Sequence, residues 1–172
     1  MRSRRHSDSA VLVGVLVLAG SGPLTAGPPA PDLVVKNLPT TGRPVSNKDG
    51  NVEVPVRFVV QNAGGQPAEI FKVSVDVDRD GGRESAAPFR ATETPQVRPD
   101  PEWYAFSRRP LAAGGSIVFT GRVVVVDPPR RAQVALKIVA DSCSGEEFMP
   151  THCRVKESTE TNNSSRRSVR MP

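Results

Sequence analysis

The sequence predicts an all-β protein, an antiparallel β-sandwich of about seven strands in two sheets. Two observations support this prediction. Apolar and polar side chains alternate with a period of two in successive segments, which is typical of strands with one buried face. Clusters of Gly, Pro and Asn separate these segments, and no long segment has the period of an amphipathic helix. Two such sheets bury their apolar faces against each other.

The clearest strand pattern lies in residues 51–62, NVEVPVRFVVQN. Pro55, on the polar side of this pattern, has no amide hydrogen to donate, which predicts a sheet edge or a bulge at that point. Residues 114–127 carry valines on both faces, which predicts a strand that is covered on both sides. The other predicted strands are residues 31–38, 70–78, 103–107, 131–141 and 165–171.

The first 26 residues have the layout of a secretory signal peptide. Three arginines within the first five residues precede an apolar run at residues 10–19, and Leu24-Thr25-Ala26 supplies a small-residue cleavage site. The run is too short to be a permanent membrane-spanning helix. We therefore expect cleavage after Ala26 and a single exported domain at residues 27–172. This domain would be secreted, extracellular or periplasmic, with no stable membrane insertion.

The charge pattern does not favour a nucleic-acid partner. The chain has 23 Lys and Arg residues against 18 Asp and Glu residues, for a net charge of +5. The basic residues are scattered along the sequence, and only Arg166, Arg167 and Arg170 form a small cluster. Nucleic-acid binding needs a dense basic stripe, so we expect no nucleic acid among the partners.

Two cysteines, Cys143 and Cys153, lie ten residues apart in CSGEEFMPTHC. In an exported chain such a pair predicts a disulfide. Closing so short a loop would stabilise the fold by about 2.5–3 kcal/mol. A metal site is the alternative, but it needs more ligands than His152 and the two thiols supply.

Four short motifs follow one another in a recognisable order. They are PDLVV at residues 31–35, VQNAGGQPA at 60–68, LAAGGS at 111–116 and VKESTETNN at 155–163. Over residues 31–170 the chain resembles the CARDB family, the cell-adhesion-related domains found in bacteria. Thr159 is a departure, because the family often has Asn at that point.

The resemblance implies an Ig-like fold and a role in adhesion or in binding a protein or glycan at the cell surface or in the periplasm. It also implies that VKESTETNN forms the last turn of the sandwich. Asn and acidic residues suit such a turn because they bond their own main chain. The chain would then turn back at Glu157, Glu160, Asn162 and Asn163 so that Val169 and Met171 re-enter the sheet.

The segment DVDRDGG, residues 76–82, holds a candidate calcium site. Asp76, Asp78 and Asp80 match the first, third and fifth positions of a calcium loop, and Gly81 matches the sixth. Ala87 stands where the loop needs its bidentate Glu. The alternative is a solvated strand face that runs into a turn. Apart from calcium, no cofactor is expected.

One segment combines the aromatic and basic residues that binding surfaces favour. Trp103 and Tyr104, the only Trp and Tyr of the chain, are followed by Phe106, Arg108 and Arg109. Aromatic and Arg side chains are enriched at interaction hot spots, so this segment is the candidate partner-binding site. The alternative is that these side chains pack over an open end of the sandwich. The surrounding stretch, residues 83–109, is predicted to be a long connection with one edge strand at 103–107.

The sequence predicts no catalytic residues, and we do not expect an enzyme. After the leader the chain has one histidine, His152, and it lacks a phosphate-binding loop and the HExxH and CxxC motifs. Two alternatives from other classes stay open. One is a small metal-dependent hydrolase that uses Asp76, Asp78 and His152. The other is a periplasmic assembly accessory or chaperone-like protein that binds a peptide at an unpaired strand edge.

Overall fold

The computed structural model describes residues 29–37, 42–79, 82–141, 155, 157–159 and 161–172. The predicted leader lies outside the described residues, as do Asp80, Cys143, His152 and Cys153. Within the described part of the chain, no helix is long and apolar enough to cross a membrane.

The described residues form eleven strands in two antiparallel sheets. The strands are β1 (Leu33–Lys36), β2 (Val45–Ser46), β3 (Val52–Asn62), β4 (Lys72–Asp78), β5 (Glu84–Ala87), β6 (Phe89–Ala91), β7 (Val97–Pro99), β8 (Ala105–Ser107), β9 (Ser116–Val125), β10 (Gln133–Ala140) and β11 (Ser164–Arg170). The five-stranded sheet has the order β1-β3-β9-β6, with β2 beside β3. The six-stranded sheet has the order β11-β10-β4-β8-β7, with β5 beside β4. The predicted all-β sandwich is confirmed.

The two sheets share one apolar core. At its centre the ring of Phe58 stacks on that of Phe119, with centroids 5.3 Å apart and planes at 4°. Both side chains are completely buried. Inward residues of four long strands join the same cluster, as the period-two pattern predicts: Val54, Val75, Val123 and Ile138.

Residues 83–109 contain more strand than the sequence predicts. The sequence predicts a long connection with one edge strand, and the structure has β5, β6, β7 and β8 there. The prediction is also wrong about the edge, because β8 lies between β4 and β7 and β7 forms the end of the sheet. These strands have only three or four residues each, which is too short to show a periodic pattern.

Strand β9 is covered on one face along most of its length. Val118 is 37% exposed and Val126 41% exposed, and only Val124 is buried on the outer side. The predicted coverage on both sides is therefore wrong. The reason is that the five-stranded sheet carries no second layer on its outer face within the described residues.

Pro55 lies where β3 has a neighbour on one side only. Strand β2 pairs with the start of β3 and β1 with its end, so within the described residues the middle of β3 pairs only with β9. The amide of Asn62 donates to Gly115 on the β9 side, and successive amides alternate in direction. Position 55 therefore faces the open side, where a missing amide hydrogen costs nothing. The predicted edge position is confirmed.

Asn62, the last residue of β3, ties three segments together at one end of the sandwich. Its Oδ1 accepts hydrogen bonds from the amides of Asp32 and Gly64, both at 3.1 Å. Its Nδ2 donates to the carbonyl oxygens of Gln66 at 2.7 Å and Leu111 at 3.0 Å. The residue is completely buried. Two accepted and two donated bonds use the full capacity of its side-chain amide.

Gly64, two residues later, allows the close approach that this end requires. A Cβ atom at this position would lie 2.2 Å from the carbonyl oxygen of Ala30 and 2.6 Å from the amide of Asp32. The backbone of the NAGG turn therefore packs directly against the backbone of the opening segment, which only Gly permits.

The segment that begins at Glu157 ties back to the opening strand. Oε2 of Glu157 accepts a hydrogen bond from the Leu33 amide at 2.6 Å, and Nδ2 of Asn162 donates to Oδ1 of Asp32 at 2.9 Å. The chain then enters β11, which pairs with β10 along its whole length. In its described residues the segment therefore acts as the last turn, as predicted, whereas Glu160 lies outside them.

Candidate functional site

The predicted partner-binding segment forms the second half of the β7–β8 hairpin. Oδ1 of Asp100 accepts hydrogen bonds from the amides of Glu102 at 3.0 Å and Trp103 at 3.1 Å. The Asp100 amide donates to the Tyr104 carbonyl at 2.9 Å. Asp commonly bonds main-chain amides two or three residues ahead, so the sequence builds this turn locally. The Trp103 carbonyl also accepts from the Phe89 amide at 3.2 Å, which joins the loop to the other sheet.

The three aromatic side chains have different surroundings. Phe106 is buried, yet it lies outside the main core, and the guanidinium carbon of Arg98 lies 4.9 Å from its ring centroid. The ammonium of Lys72 lies 4.4 Å from the ring centroid of Tyr104. Both are cation–π contacts: the first joins β7 to β8 within the hairpin, and the second holds the hairpin against β4. Trp103 is 38% exposed at the closed end of the hairpin. Packing therefore accounts for two of the three aromatics.

The two arginines also differ. Nε of Arg108 donates to the carbonyl oxygens of Thr94 at 3.1 Å and Val97 at 3.3 Å, and its guanidinium contacts the carboxylate of Glu93. Arg108 therefore fastens the open end of the hairpin. Arg109 is exposed and makes no hydrogen bond or ion pair within the described residues. Its five N–H donors remain available to a partner.

Three neighbouring depressions surround these arginines. The first, of about 640 Å³, is lined by Glu93, Thr94, Pro95, Arg108 and Arg109. The second, of about 280 Å³, is lined by Pro95, Gln96, Arg109, Pro110, Leu111 and Ile117. The third, of about 240 Å³, is lined by Ile70, Arg98, Ser107 and Arg108. We call the first two depressions together the Arg109 surface, because Arg109 lines both.

The Arg109 surface combines two kinds of contact. Four of the six residues around the second depression are apolar, and the exposed Arg109 is one of the other two. A planar guanidinium suits bidentate contact with a carboxylate, and a depression of this size suits one apolar side chain. The structure therefore separates Arg109 from Trp103, which lines none of these depressions.

The predicted calcium residues lie on the outer face of β4, where Asp78 is buried and Asp76 is partly exposed. The Asp78 carboxylate contacts the Arg166 guanidinium and accepts the Gly82 amide at 3.1 Å. The alternative of a solvated face is therefore wrong for Asp78 and holds only in part for Asp76.

Asp76 faces Lys137 on the next strand in register, and Lys137 pairs with Glu84 at 2.8 Å. Burial raises the pKa of the Asp76 carboxyl; Lys137 opposes this shift and Glu84 adds to it. The chain's own cations thus relieve the repulsion that suggested a bound ion. Among the described residues no group of three or more His, Cys, Asp or Glu side chains is placed to hold a metal. Calcium binding stays a prediction, with Asp80 outside the described residues.

A fourth depression lies at the other end of the strands. Its volume is about 570 Å³, and it is lined by Ser46, Gly50, Val52, Asp127, Pro128, Pro129, Arg130, Arg131, Met171 and Pro172. None of the predicted site residues takes part in it. The predicted disulfide between Cys143 and Cys153 falls outside the described residues, and it stays a prediction.

Comparison of this chain with known protein families finds no matching family, and comparison with curated proteins finds no matching relative.

Sequence reasoning missed the residues that face Arg109 across the depressions. Glu93, Thr94 and Pro95 come from the stretch before β7, Leu111 comes from the stretch before β9, and Ile117 is the second residue of β9. Each of these residues is ordinary in its local sequence. Only the pairing of β7 with β8 brings residues 94–96 beside residues 108 and 109.

Proposed function

We propose that this protein is an exported, non-catalytic binding module of the CARDB type, an Ig-like sandwich that acts in adhesion or in holding a partner outside the cytoplasm. The Arg109 surface is its contact with a protein partner. The observation that carries the proposal is the exposed guanidinium of Arg109, which has no bond within the described residues and lines both depressions.

The four sequence motifs meet at one end of the sandwich, and this supports the proposed assignment to the CARDB family. Asp32 of the first motif and Leu111 of the third both bond to Asn62 of the second. Asn162 of the fourth bonds to Asp32. Motifs that lie far apart in sequence thus form one connected network. A shared network is a physical reason for the motifs to occur together, whereas unrelated turns would need no common partner.

The chemistry of the Arg109 surface indicates the kind of partner. An apolar depression beside a cation fits a peptide or protein loop that presents an apolar side chain next to a carboxylate. The hydrogen bonds from Nε of Arg108 to the carbonyl oxygens of Thr94 and Val97 hold the surrounding backbone in place. Such preorganisation reduces the entropy that binding would otherwise cost.

Site-specific photocrosslinking tests this proposal. A photoreactive amino acid replaces Gln96, which lines the apolar depression, and in a second protein it replaces Val45, which is 57% exposed on the other sheet. Both proteins are irradiated with an extract of the native cell envelope. We expect a discrete crosslinked product at position 96 only. Adding Arg109→Ala should lower its yield at least about tenfold, equivalent to about 1.4 kcal/mol of binding.

Arg170→Ala is the matched control, because it removes an exposed arginine of β11. It should leave the yield unchanged. Equal crosslinking at positions 45 and 96, or a product that persists after Arg109→Ala, would refute the role of this surface.

Export is tested separately by N-terminal sequencing of the protein released from cells, where a first residue of Gly27 is expected.

A further inference from the structure

The outer face of the five-stranded sheet carries a diagonal row of four cations, one from each strand of its main path. Arg90 of β6 lies directly opposite Arg122 of β9. Arg122 is opposite Pro55, so Arg57 of β3 is its diagonal neighbour two residues further along. Lys36 of β1 is opposite Val59, again two residues further in the same direction. We call these four residues the cation row.

Strand geometry gives the length of the row. Neighbouring strands lie about 4.8 Å apart, and each residue advances about 3.3 Å along a strand. The row crosses three strand spacings and advances four residues along β3. Its backbone positions therefore span about 20 Å across the sheet, with a bend at Arg122 because the first step is directly across and the next two are diagonal.

The charge of this row is only partly neutralised. Within the described part of this face the single carboxylate is that of Glu53, which accepts a hydrogen bond from Arg122 at 2.7 Å and lies 3.7 Å from Arg90. The ammonium of Lys36 bonds to the neutral Oε1 of Gln61. Arg57 makes no hydrogen bond or ion pair within the described residues, and all four cationic side chains are exposed.

The arrangement breaks a local rule of sheet stability. Like charges directly opposite on neighbouring strands are destabilising, and Arg90 and Arg122 are such a pair. The six-stranded sheet also has like charges opposite each other, Lys137 with Arg166 and Asp78 with Glu84, but there the cations and carboxylates contact one another, as in Lys137–Glu84 and Arg166–Asp78. In the cation row one carboxylate, that of Glu53, contacts both Arg122 and Arg90, and Arg57 and Lys36 have no ion pair within the described residues. The row therefore keeps an excess of positive charge.

We propose that the cation row binds a linear acidic polysaccharide, with its carboxylates held along the diagonal Arg90–Arg122–Arg57–Lys36. This surface is separate from the Arg109 surface, and it adds a glycan ligand to the protein partner proposed above. The guanidinium groups bind carboxylates, and the interaction depends on charge and therefore on salt.

The side chains of this face favour a polysaccharide over an acidic peptide. Main-chain bonds join β6, β9 and β3 across the face, so within the described residues a peptide strand would find main-chain partners only along the open side of β3 at residues 54–58. The row also lacks the aromatic anchors and pockets that protein hot spots use. The side chains between and beside the cations are Thr120, Val59, Val118 and Gln61, which offer hydrogen bonds and shallow apolar contact to sugar rings. Stiff sugar rings also lose little entropy on binding.

Binding to polygalacturonate tests the proposal. We expect the purified protein to bind this polymer at about 0.05 M NaCl and to release it at about 0.5 M. The fully methyl-esterified polymer, which has the same backbone without the charges, should not bind. Polyglutamate of matched length, the peptide polyanion, should bind at least about tenfold more weakly.

Two double variants distinguish the effect of the cation row on polymer binding from the effect of net charge. Lys36→Gln with Arg57→Gln removes the two cations that have no ion pair among the described residues, so no described carboxylate loses its partner, and affinity should fall about tenfold or more. Arg130→Gln with Arg170→Gln changes the net charge equally at exposed positions away from this face, and affinity should not change.

An equal fall in affinity in both double variants, equal binding of polyglutamate, or no binding of polygalacturonate would overturn the proposal. Arg109→Ala should bind the polymer normally, so the two surfaces can fail independently.

Discussion

The side chain of Asn62 donates a hydrogen bond to the carbonyl oxygen of Leu111 at 3.0 Å, across 49 residues of sequence. This bond connects the end of β3 to the segment that leads into β9. Because Leu111 also lines the apolar depression of the Arg109 surface, the same network that closes the end of the sandwich positions one wall of the candidate binding site.

Replacing Asn62 with Ala should be strongly destabilising. The substitution removes four hydrogen bonds at a fully buried position and leaves the amides of Asp32 and Gly64 without their acceptor, whereas the Leu111 carbonyl keeps the Ala68 amide. We expect the free energy of unfolding to fall by about 2–4 kcal/mol, measured by urea denaturation. Asn47→Ala removes a similar pair of turn hydrogen bonds, because Oδ1 of Asn47 accepts two main-chain amides near the surface. It should cost less than about 1 kcal/mol. Equal losses in the two variants would contradict the role given to burial.

Removing the carboxylate of Glu157 should loosen the opening strand. Its Oε2 is the acceptor for the Leu33 amide at 2.6 Å in a buried position. Glu157→Ala should destabilise the protein by about 1–3 kcal/mol, and hydrogen exchange of the Leu33 amide should accelerate more than that of the Val56 amide. Glu157→Gln keeps an acceptor oxygen and should retain most of the protection. Unchanged exchange at Leu33 after Glu157→Ala would disprove this tie.

Asp76 should make stability depend on pH in a defined direction. Burial raises the pKa of its carboxyl above the ordinary value of 3.8, so the folded state holds the proton more tightly than the unfolded state does. The stability that this proton provides is fully present below pH 3.8 and is lost as the pH rises through the raised folded-state pKa.

Asp76→Asn should therefore increase the free energy of unfolding at about pH 7, by about 0.5 kcal/mol because the site is partly exposed. At about pH 3, where the parent carboxyl is protonated in both states, the difference should vanish. Urea denaturation at the two pH values measures both. Asp49→Asn, in an exposed turn, controls for the change in net charge. A less stable Asp76→Asn protein at neutral pH would show that the contact with Lys137 outweighs burial.

Phe106 and Trp103 should respond differently to truncation. Phe106 is 6% exposed under the Arg98 guanidinium, whereas Trp103 is 38% exposed. We expect Phe106→Ala to cost about 2–4 kcal/mol of unfolding free energy and Trp103→Ala about 1 kcal/mol or less. Thermal and urea denaturation measure both. If Trp103→Ala costs as much as Phe106→Ala, then the hairpin loop is packed as tightly as the strand.

The long strands could be predicted from the sequence because their signal is local. Val54, Val56 and Phe58 alternate with polar residues, and all three are buried. The same holds for β4 and β10, and Val54, Val75, Val123 and Ile138 share one interior as expected. The short strands β5, β6 and β7 could not be predicted, because three or four residues contain too few alternating positions to separate a strand from a loop.

The candidate sites depended on more than local sequence. Trp103 and Arg109 are close in the chain, but the β7–β8 hairpin places Trp103 at its closed end and Arg109 at its open end. Asp76 and Asp78 suggested a cation site, and the structure places Lys137 and Arg166 beside them. In both cases the surroundings of the site residues depend on which other strands lie beside them. The residues around each motif do not reveal which strands those are.

By itself the sequence determined that this chain forms strands, which side of β3 and β10 is buried and where the last turn falls, because alternation and turn chemistry act within a few residues. Only the tertiary structure decided that Arg90, Arg122, Arg57 and Lys36 share one diagonal and that Asn62 meets Asp32 and Leu111. The physical reason is register: a shift of one residue between two strands moves each side chain to the other face, so long-range neighbours exist only once the sheets are paired.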